Sequence, residues 1–477
     1  MITARFCCII ISIGSVNKVT VWHIFGIMIS LLSIVIMSIY SGKAAKSKKG
    51  ANAYLVAGAI MGTLIGGSST VGTAQLAYSY GMSAWWFTLG SGIACLILAF
   101  VYAKPFHKSG HRTLIYFITE EYGLKSSIAA SVLSSVGSFI NIISQLIAAT
   151  AIIAVVFPKL PIAPSVLISA VFMIIYIIFG GTKGSGIVGI LKTLLLYVSM
   201  IVSGVMVLKF SGGFAGFLNM VDGIDNTENV RFFSLFARGV GTDLGACLSL
   251  ILGVITTQSY AQAIFMADKS KDAVKGALFS ALLVPIVGIG GILVGLYMRA
   301  VHPGIVSKTA LTLFVTEYMP PVLGGIVLGA LFIAVVGTGS GLALGIATVI
   351  KCDILPLFSD KWYKKLLDTS VERILLILVL ISAGLITMGP LGDTILNFAF
   401  MSMGLRGATI FLPLCCSIWL KGKVRAEFAL WSIVLSPIAV LIFGLWGALP
   451  VDPLFVGVFT SCVIMIIGYF ANRYIER

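Results

Sequence analysis

Apolar residues in this chain come in long blocks, not at the spacing of an amphipathic helix or strand. Windows of about 19 residues with almost no charge recur along it, separated by short polar links. Thirteen blocks stand out: 20–41, 52–79, 82–103, 126–157, 161–180, 185–210, 242–266, 275–299, 322–350, 373–390, 393–419, 427–448 and 452–472. As helices, blocks of about 20 residues cross about 30 Å of hydrocarbon. The pattern predicts an all-α polytopic membrane protein with about 13 transmembrane helices. We treat the first block as an extra N-terminal helix and number the others as spans 1 to 12. Residues 1–19 are harder to read. Phe6–Ile13 is apolar but too short to cross, and no small-residue cleavage site follows it clearly. This piece is expected to be an extracytoplasmic tail or an upstream mis-start of translation.

Two spans carry polar interruptions. Span 1 holds Gly62, Gly66, Gly67 and Gly72 with the hydroxyl run Ser68, Ser69, Thr70. Glycine costs about 1 kcal/mol against alanine inside a helix, so Gly66-Gly67 is an expected break. Backbone freed inside a bilayer must find partners, and is tolerated only within protein or along a wet cavity. The same residues also suit a small-residue face for close helix packing. Span 6 has a matching patch, Gly253-Val-Ile-Thr256-Thr257-Gln258-Ser259. The two interruptions lie five helices apart, an odd number, so the second unit begins from the opposite face. That relation points to an inverted repeat with its binding site near the midplane.

Composition agrees. The 477 residues are 59% hydrophobic and 10% charged, against about 25% charged in soluble domains. A net charge of +15 would suggest nucleic acid in a soluble chain; here it lies mostly in short links, so no nucleic-acid partner is expected and the lipid bilayer is. One set of links holds 22 of the 32 Lys and Arg, including Lys43, Lys46, Lys48, Lys49, Lys183, Lys361, Lys364 and Lys365. The other set holds eight, and the positive-inside rule puts the N-terminus outside and the C-terminus in the cytoplasm. The longest outer links, 211–241 and 300–321, suit surface helices or gates. The eight cysteines have no disulfide or metal spacing. The four histidines lie at ends or in loops, and no phosphate-binding Gly-Lys loop occurs. No enzyme chemistry or cofactor is expected.

The motifs carry a resemblance. Asn52-Ala-Tyr-Leu-Val-Ala-Gly58 with Gly72-Thr-Ala-Gln-Leu-Ala-Tyr-Ser-Tyr-Gly81 resembles the start of the sodium:solute symporter family. So do Tyr176-Ile-Ile-Phe-Gly-Gly-Thr-Lys183, Gln258-Ser-Tyr-Ala-Gln262 followed by Met266-Ala-Asp-Lys-Ser-Lys-Asp-Ala273, and Gly329-Ala330…Ala334-Val-Val-Gly-Thr338 followed by Cys352-Asp353-Ile354. The resemblance implies a LeuT-like core of two inverted five-helix repeats. Residues 52–210 would form the first and 242–419 the second. Residues 20–41 would add the extra N-terminal helix and 427–472 two C-terminal helices.

It also implies a sodium site. The carbonyls of Gly62, Ile65 and Ala334 and the hydroxyl of Thr338 would supply oxygens, which suit a hard cation. Ala334 and Thr338 share a helix face. Family members often show two adjacent hydroxyls here, whereas this chain has Gly337-Thr338; Ser340 or water is the expected replacement. A second sodium, aided elsewhere in the family by an acid near Gly189, is not expected.

Two buried cations stand out. Lys192 lies seven residues in from Ser185, where a lysine costs about 2.5–3.5 kcal/mol. It is expected either to reach the cation cage, replacing or competing with the coupling ion and linking transport to protons, or to snorkel to the cytoplasmic headgroups. Arg406 lies 14 residues from Leu420, about 21 Å along a helix. It either binds a carboxylate substrate or pairs with backbone at the Gly404–Gly407 kink. Substrate candidates are Ser68, Ser69, Thr70, Asn141, Gln145, Gln258, Gln262 and Arg406, with Gln75 further out. Tyr78 and Trp85 suit an outer gate or interfacial anchors. The chain thus reads as a cation-coupled symporter of a small organic solute in the cell membrane. Proton coupling through Lys192, or an uncoupled facilitator, is the alternative.

Overall fold

The apolar blocks fold as helices. The computed structural model describes residues 19–44, 50–228, 231–355, 369–389, 394–446 and 452–475. The N-terminal tail, Lys46, Lys48, Lys49, Lys361, Lys364 and Lys365 therefore lie outside the described residues, as do the side chains of Lys43 and Lys183. Among the described residues no strand forms; the only β pairing is an isolated bridge between Ala51 and Ala267.

The elements are α1 (Val21–Ala44), α2 (Ala53–Leu64), α3 (Thr73–Tyr80), α4 (Trp86–Ile97), α5 (Ile115–Val156), α6 (Ile162–Phe210), α7 (Phe214–Glu228), α8 (Val240–Ile255), α9 (Gln258–Phe265), α10 (Ser270–Val301), α11 (Ala310–Tyr318), α12 (Pro321–Val349), α13 (Thr369–Thr387), α14 (Ile395–Trp419), α15 (Ala426–Trp446) and α16 (Pro453–Ile475). Among the described residues, eight helices are long and apolar enough to cross a membrane, or nine if the bent pair α8–α9 counts as one span. Shorter apolar helices include Val21–Ser33, Ala53–Leu64 and Ile162–Tyr176.

Local chemistry explains several boundaries. Asn52 caps α2, its side chain accepting from the Leu55 N–H at 3.0 Å. Pro321 opens α12, where a missing N–H costs nothing. Gly123, at φ 75°, kinks α5 and separates a short N-terminal piece from the long span. The expected spans 4 and 5 both fall within α6, whose 49 residues would measure about 74 Å if straight, more than twice a hydrocarbon core. The outer links are not bare loops: they carry α7 and α11, and the Phe232 carbonyl accepts from the Met82 N–H at 2.7 Å.

α5 packs against α12 and α14, and α2 and α12 both pack against α6. At one point α2 and α6 touch backbone to backbone. A Cβ on Gly189 would stand 2.0 Å from the Gly58 carbonyl oxygen, and one on Gly62 would stand 2.7 Å from the Gly189 Cα. Only glycine permits this approach, so no acidic side chain fits at 189 without parting the two helices.

Candidate cation and solute site

The first break falls where the glycines predict it. α2 stops at Leu64, Ile65 is extended (φ −88°, ψ 105°), and a π-turn over Ser68–Gly72 leads into α3. In an unbroken helix the Gly66 N–H would bond to the Gly62 carbonyl. Here it donates instead to Ser69 Oγ at 2.8 Å, leaving the Gly62 carbonyl free of that partner. The Gly67 N–H donates to Gln145 Oε1 at 2.9 Å. Ser69 and Thr70 turn back onto the Gly66 carbonyl at 3.0 and 2.8 Å. They serve the break itself and do not project into a pocket. Bulk is excluded as well, since a Cβ on Gly66 would lie 2.3 Å from Thr338 Oγ1.

The freed oxygens meet the amine of Lys192. Lys192 Nζ donates to the Gly62 carbonyl at 2.5 Å and to Thr338 Oγ1 at 2.9 Å. Thr338 Oγ1 in turn donates to the Ile65 carbonyl at 3.2 Å. All of these groups are buried, with Lys192 only 1% exposed. The lysine therefore does not snorkel. Ala334 stands one turn before Thr338 on α12 and is fully buried. Ser340 is not part of the cage: its hydroxyl donates to the Met173 carbonyl at 2.9 Å. The reason is angular, because residues two apart on a helix point to nearly opposite sides.

A polar stripe on α5 faces the break. Gln145 Nε2 donates to Ser68 Oγ at 2.9 Å and to Asn141 Oδ1 at 3.3 Å. Ser68 also touches Ser144, which donates to the Ile395 carbonyl. Ser68, Asn141 and Gln145 thus form one buried cluster.

The second break lies between α8 and α9, which are bent by 43°. Thr257 is extended there (φ −90°, ψ 121°). Its hydroxyl accepts from Arg406 at 2.7 Å. The guanidinium also donates to the Ser402 carbonyl and hydroxyl, to Ser138 Oγ and to Met403 Sδ. Arg406 is fully buried, and each of these acceptors is neutral. Asp243 is committed elsewhere, to Arg238 at 2.6 Å, and Asp393 lies outside the described residues. The partners Ser138 and Ser402 escaped the sequence reading, which named Thr257 only within the polar interruption, although Ser402 stands four residues before Arg406, a spacing that signals contact.

Gln258 and Gln262 are not gathered with Ser68. Gln258 accepts from the Leu114 N–H at 2.9 Å and donates to the Arg112 carbonyl at 2.7 Å. Gln262 lines a separate cavity of about 430 Å³ with Arg112, Lys351 and Glu372. The turn at Thr257 carries both glutamines away from the first break. A pocket lined by Ser138, which is a partner of Arg406, together with Thr256 and Gln258 measures about 10 Å³, which is room for about one water.

At the end of α3 a clasp of polar contacts ties the helix to the segment after α10. Tyr78 donates to the His302 carbonyl at 2.8 Å, with Arg299 over its ring at 5.1 Å. Gln75 bridges Ser307 and the Ile395 N–H. Trp85 is not part of this clasp. Its indole donates to the Pro285 carbonyl at 3.0 Å, fixing it against α10. Among the described residues, no three His, Cys, Asp or Glu side chains gather as a metal site.

Two discontinuous helices crossing a bundle, with a charged and hydroxyl-rich interior, define a multi-pass membrane transporter. The chain belongs to the sodium:solute symporter family, whose profile matches residues 49–436. It is therefore a transporter of the cell membrane, not an enzyme. It is 28% identical over 155 residues to YwcA, an uncharacterized symporter of Bacillus subtilis (strain 168). That match covers 32% of this chain and only 30% of the relative. In fold it is similar to a Na+-coupled sialic acid symporter in a substrate-bound outward-open state (TM-score 0.76, 19% identity, covering 95% of this chain and 98% of that one). It is also similar to MHP1, a nucleobase-cation-symport-1 family transporter in a closed conformation with bromovinylhydantoin bound (TM-score 0.59, 12% identity, covering 90% and 93%). These likenesses give the all-α, LeuT-like fold.

Proposed function

We propose that this chain is a secondary active symporter that couples entry of a small organic solute to sodium, the coupling ion its family implies. The observation that carries the reading is the convergence of the Gly62 and Ile65 carbonyls and the Thr338 hydroxyl on one buried point. The same point is reached by the Lys192 amine, whose Nζ meets two of these oxygens. Oxygens freed at the first break are thus arranged for a hard cation. A cation there would fix the broken helix and raise solute affinity, and the coupling would be reciprocal.

The solute is proposed to sit between the two breaks, against Ser68, Asn141, Gln145 and Arg406. An anionic group, such as a carboxylate, suits Arg406, whose buried charge is met only by neutral acceptors in its hydrogen bonds. The packing around Arg406, which is fully buried, would have to open to admit such a group. Residues 52–210 and 242–419 would act as the two inverted repeats. The full chain would cross the membrane thirteen times, N-terminus outside, and alternate access by rocking one bundle against the other.

A thermal-shift panel of organic acids, amino acids and sugars, with and without sodium, identifies the solute by stabilisation. Uptake of that solute into proteoliposomes then tests coupling. Accumulation above the outside concentration under an inward sodium gradient is expected. Simple equilibration at a rate indifferent to sodium would overturn the reading.

A further inference from the structure

Lys192 and a sodium ion require the same oxygens. Two of the three groups of the cage, the Gly62 carbonyl and the Thr338 hydroxyl, are hydrogen-bonded to Nζ at 2.5 and 2.9 Å. An ion bound to both would stand almost where the ammonium stands. We propose that the Lys192 ammonium is a built-in occupant of the cation cage, which the coupling ion must displace. Seating of Lys192 and binding of sodium therefore exclude each other. This deepens the symport reading and rests on it.

Three features carry the proposal. The placement is enforced: Gly189 lies against Gly58 and Gly62 with no side chain between, and Lys192 follows one turn later on the same face of α6. The hold is one a lysine can release, because its ammonium is a point charge on a flexible four-carbon stem. Arg406 contrasts with it, since its planar fork is engaged by Ser138, Thr257, Ser402 and Met403. Finally, the occupant has a purpose. Carbonyls freed inside a bilayer are costly without a partner. An ammonium that returns as sodium leaves keeps the break satisfied on both sides of the transport cycle. It also lowers the cage's affinity for sodium and so favours release of the ion into the cell.

The test is radioactive sodium binding to the purified full-length protein in detergent, with choline replacing sodium. In Lys192→Met and Lys192→Gln the half-saturating sodium concentration is expected to fall at least about tenfold, within the usual span of coupled sites. Adding Thr338→Ala to either variant is expected to abolish the gain. Lys192→Arg keeps the charge and is expected to show no gain. The glutamine variant retains a hydrogen-bond donor for the break, so the test survives if the methionine variant does not fold. Half-saturation unchanged in both neutral variants, or an equal gain in Lys192→Arg, overturns the proposal. Wild-type uptake separates the two readings. If uptake follows the sodium gradient while the neutral variants bind sodium as wild type does, symport stands and occupancy by Lys192 fails. If uptake ignores sodium while the neutral variants gain affinity, occupancy stands and sodium symport fails.

Discussion

Replacing Gly66 by alanine attacks the cage with a single methyl group. The new Cβ would lie 2.3 Å from Thr338 Oγ1, 2.7 Å from Thr338 Cβ and 2.8 Å from Gln145 Oε1. Such distances are well inside van der Waals contact, so something must move. The Thr338 side chain has little freedom to do so, because β-branching leaves few χ1 rotamers in a helix. Rotating it would take Oγ1 away from both Lys192 Nζ and the Ile65 carbonyl. The other outlet is a shift of α12 or α5 away from the break. Overpacking of this kind costs about 1–3 kcal/mol, and a lost buried hydrogen bond adds about 1 kcal/mol. Alanine's better helix propensity does not offset this, because residue 66 follows the extended Ile65 and is not in a helix interior. Thermal unfolding followed by tryptophan fluorescence, together with sodium binding, is the assay. Gly66→Ala is expected to unfold at a lower temperature and to bind sodium more weakly. Gly223→Ala, with nothing within 4 Å of its added Cβ, is the control. A Gly66→Ala protein that melts and binds sodium like wild type would refute the close approach of α12 to the first break.

Three further outcomes follow from the same geometry. Gln145→Leu leaves the Gly67 N–H without its acceptor and Ser68 without a donor; a loss of about 1–3 kcal/mol is expected as a lower melting temperature, and unchanged melting would contradict the bracing role. Arg406→Met is expected to weaken binding of an anionic solute at least about tenfold while leaving a neutral analogue less affected. Equal affinities in solute titrations would remove Arg406 from recognition. Tyr78→Phe loses the bond to the His302 carbonyl, worth about 1 kcal/mol. It is expected to speed maleimide labelling of a cysteine placed at Ser307, and an unchanged rate would show that Tyr78 does not hold the clasp.

Part of this arrangement is legible in the chain itself. Gly66-Gly67 amid an apolar block predicts the break because glycine weakens helices wherever it stands. Thr338 followed from the resemblance, and the depth of Lys192 allowed it to reach the cage or snorkel. What escaped is directional. Ser340 is a hydroxyl in the right stretch of chain but on the wrong side of α12, bonded to Met173. Gln258 and Gln262 follow the polar patch of span 6, yet the extended Thr257 turns them toward Arg112 and Lys351. Ser69 and Thr70 look like ligand groups in sequence but are consumed by the backbone they interrupt. Hydropathy locates apolar blocks; it does not say which way a side chain faces once the helix axis bends.

The bare contact between α2 and α6 also limits energetics. With position 189 closed to any side chain, a carboxylate that would recruit another sodium cannot arise there by point mutation; the helices would first have to separate. With one sodium per solute, a monoanionic carboxylate would cross with no net charge, whereas a neutral solute would draw on the membrane potential once. That is about 2.3 kcal/mol per 100 mV, or roughly a 50-fold limit on concentrating a neutral solute from the voltage alone. Which side chains can stand beside the first break is, in this molecule, set by how closely two strips of main chain lie together.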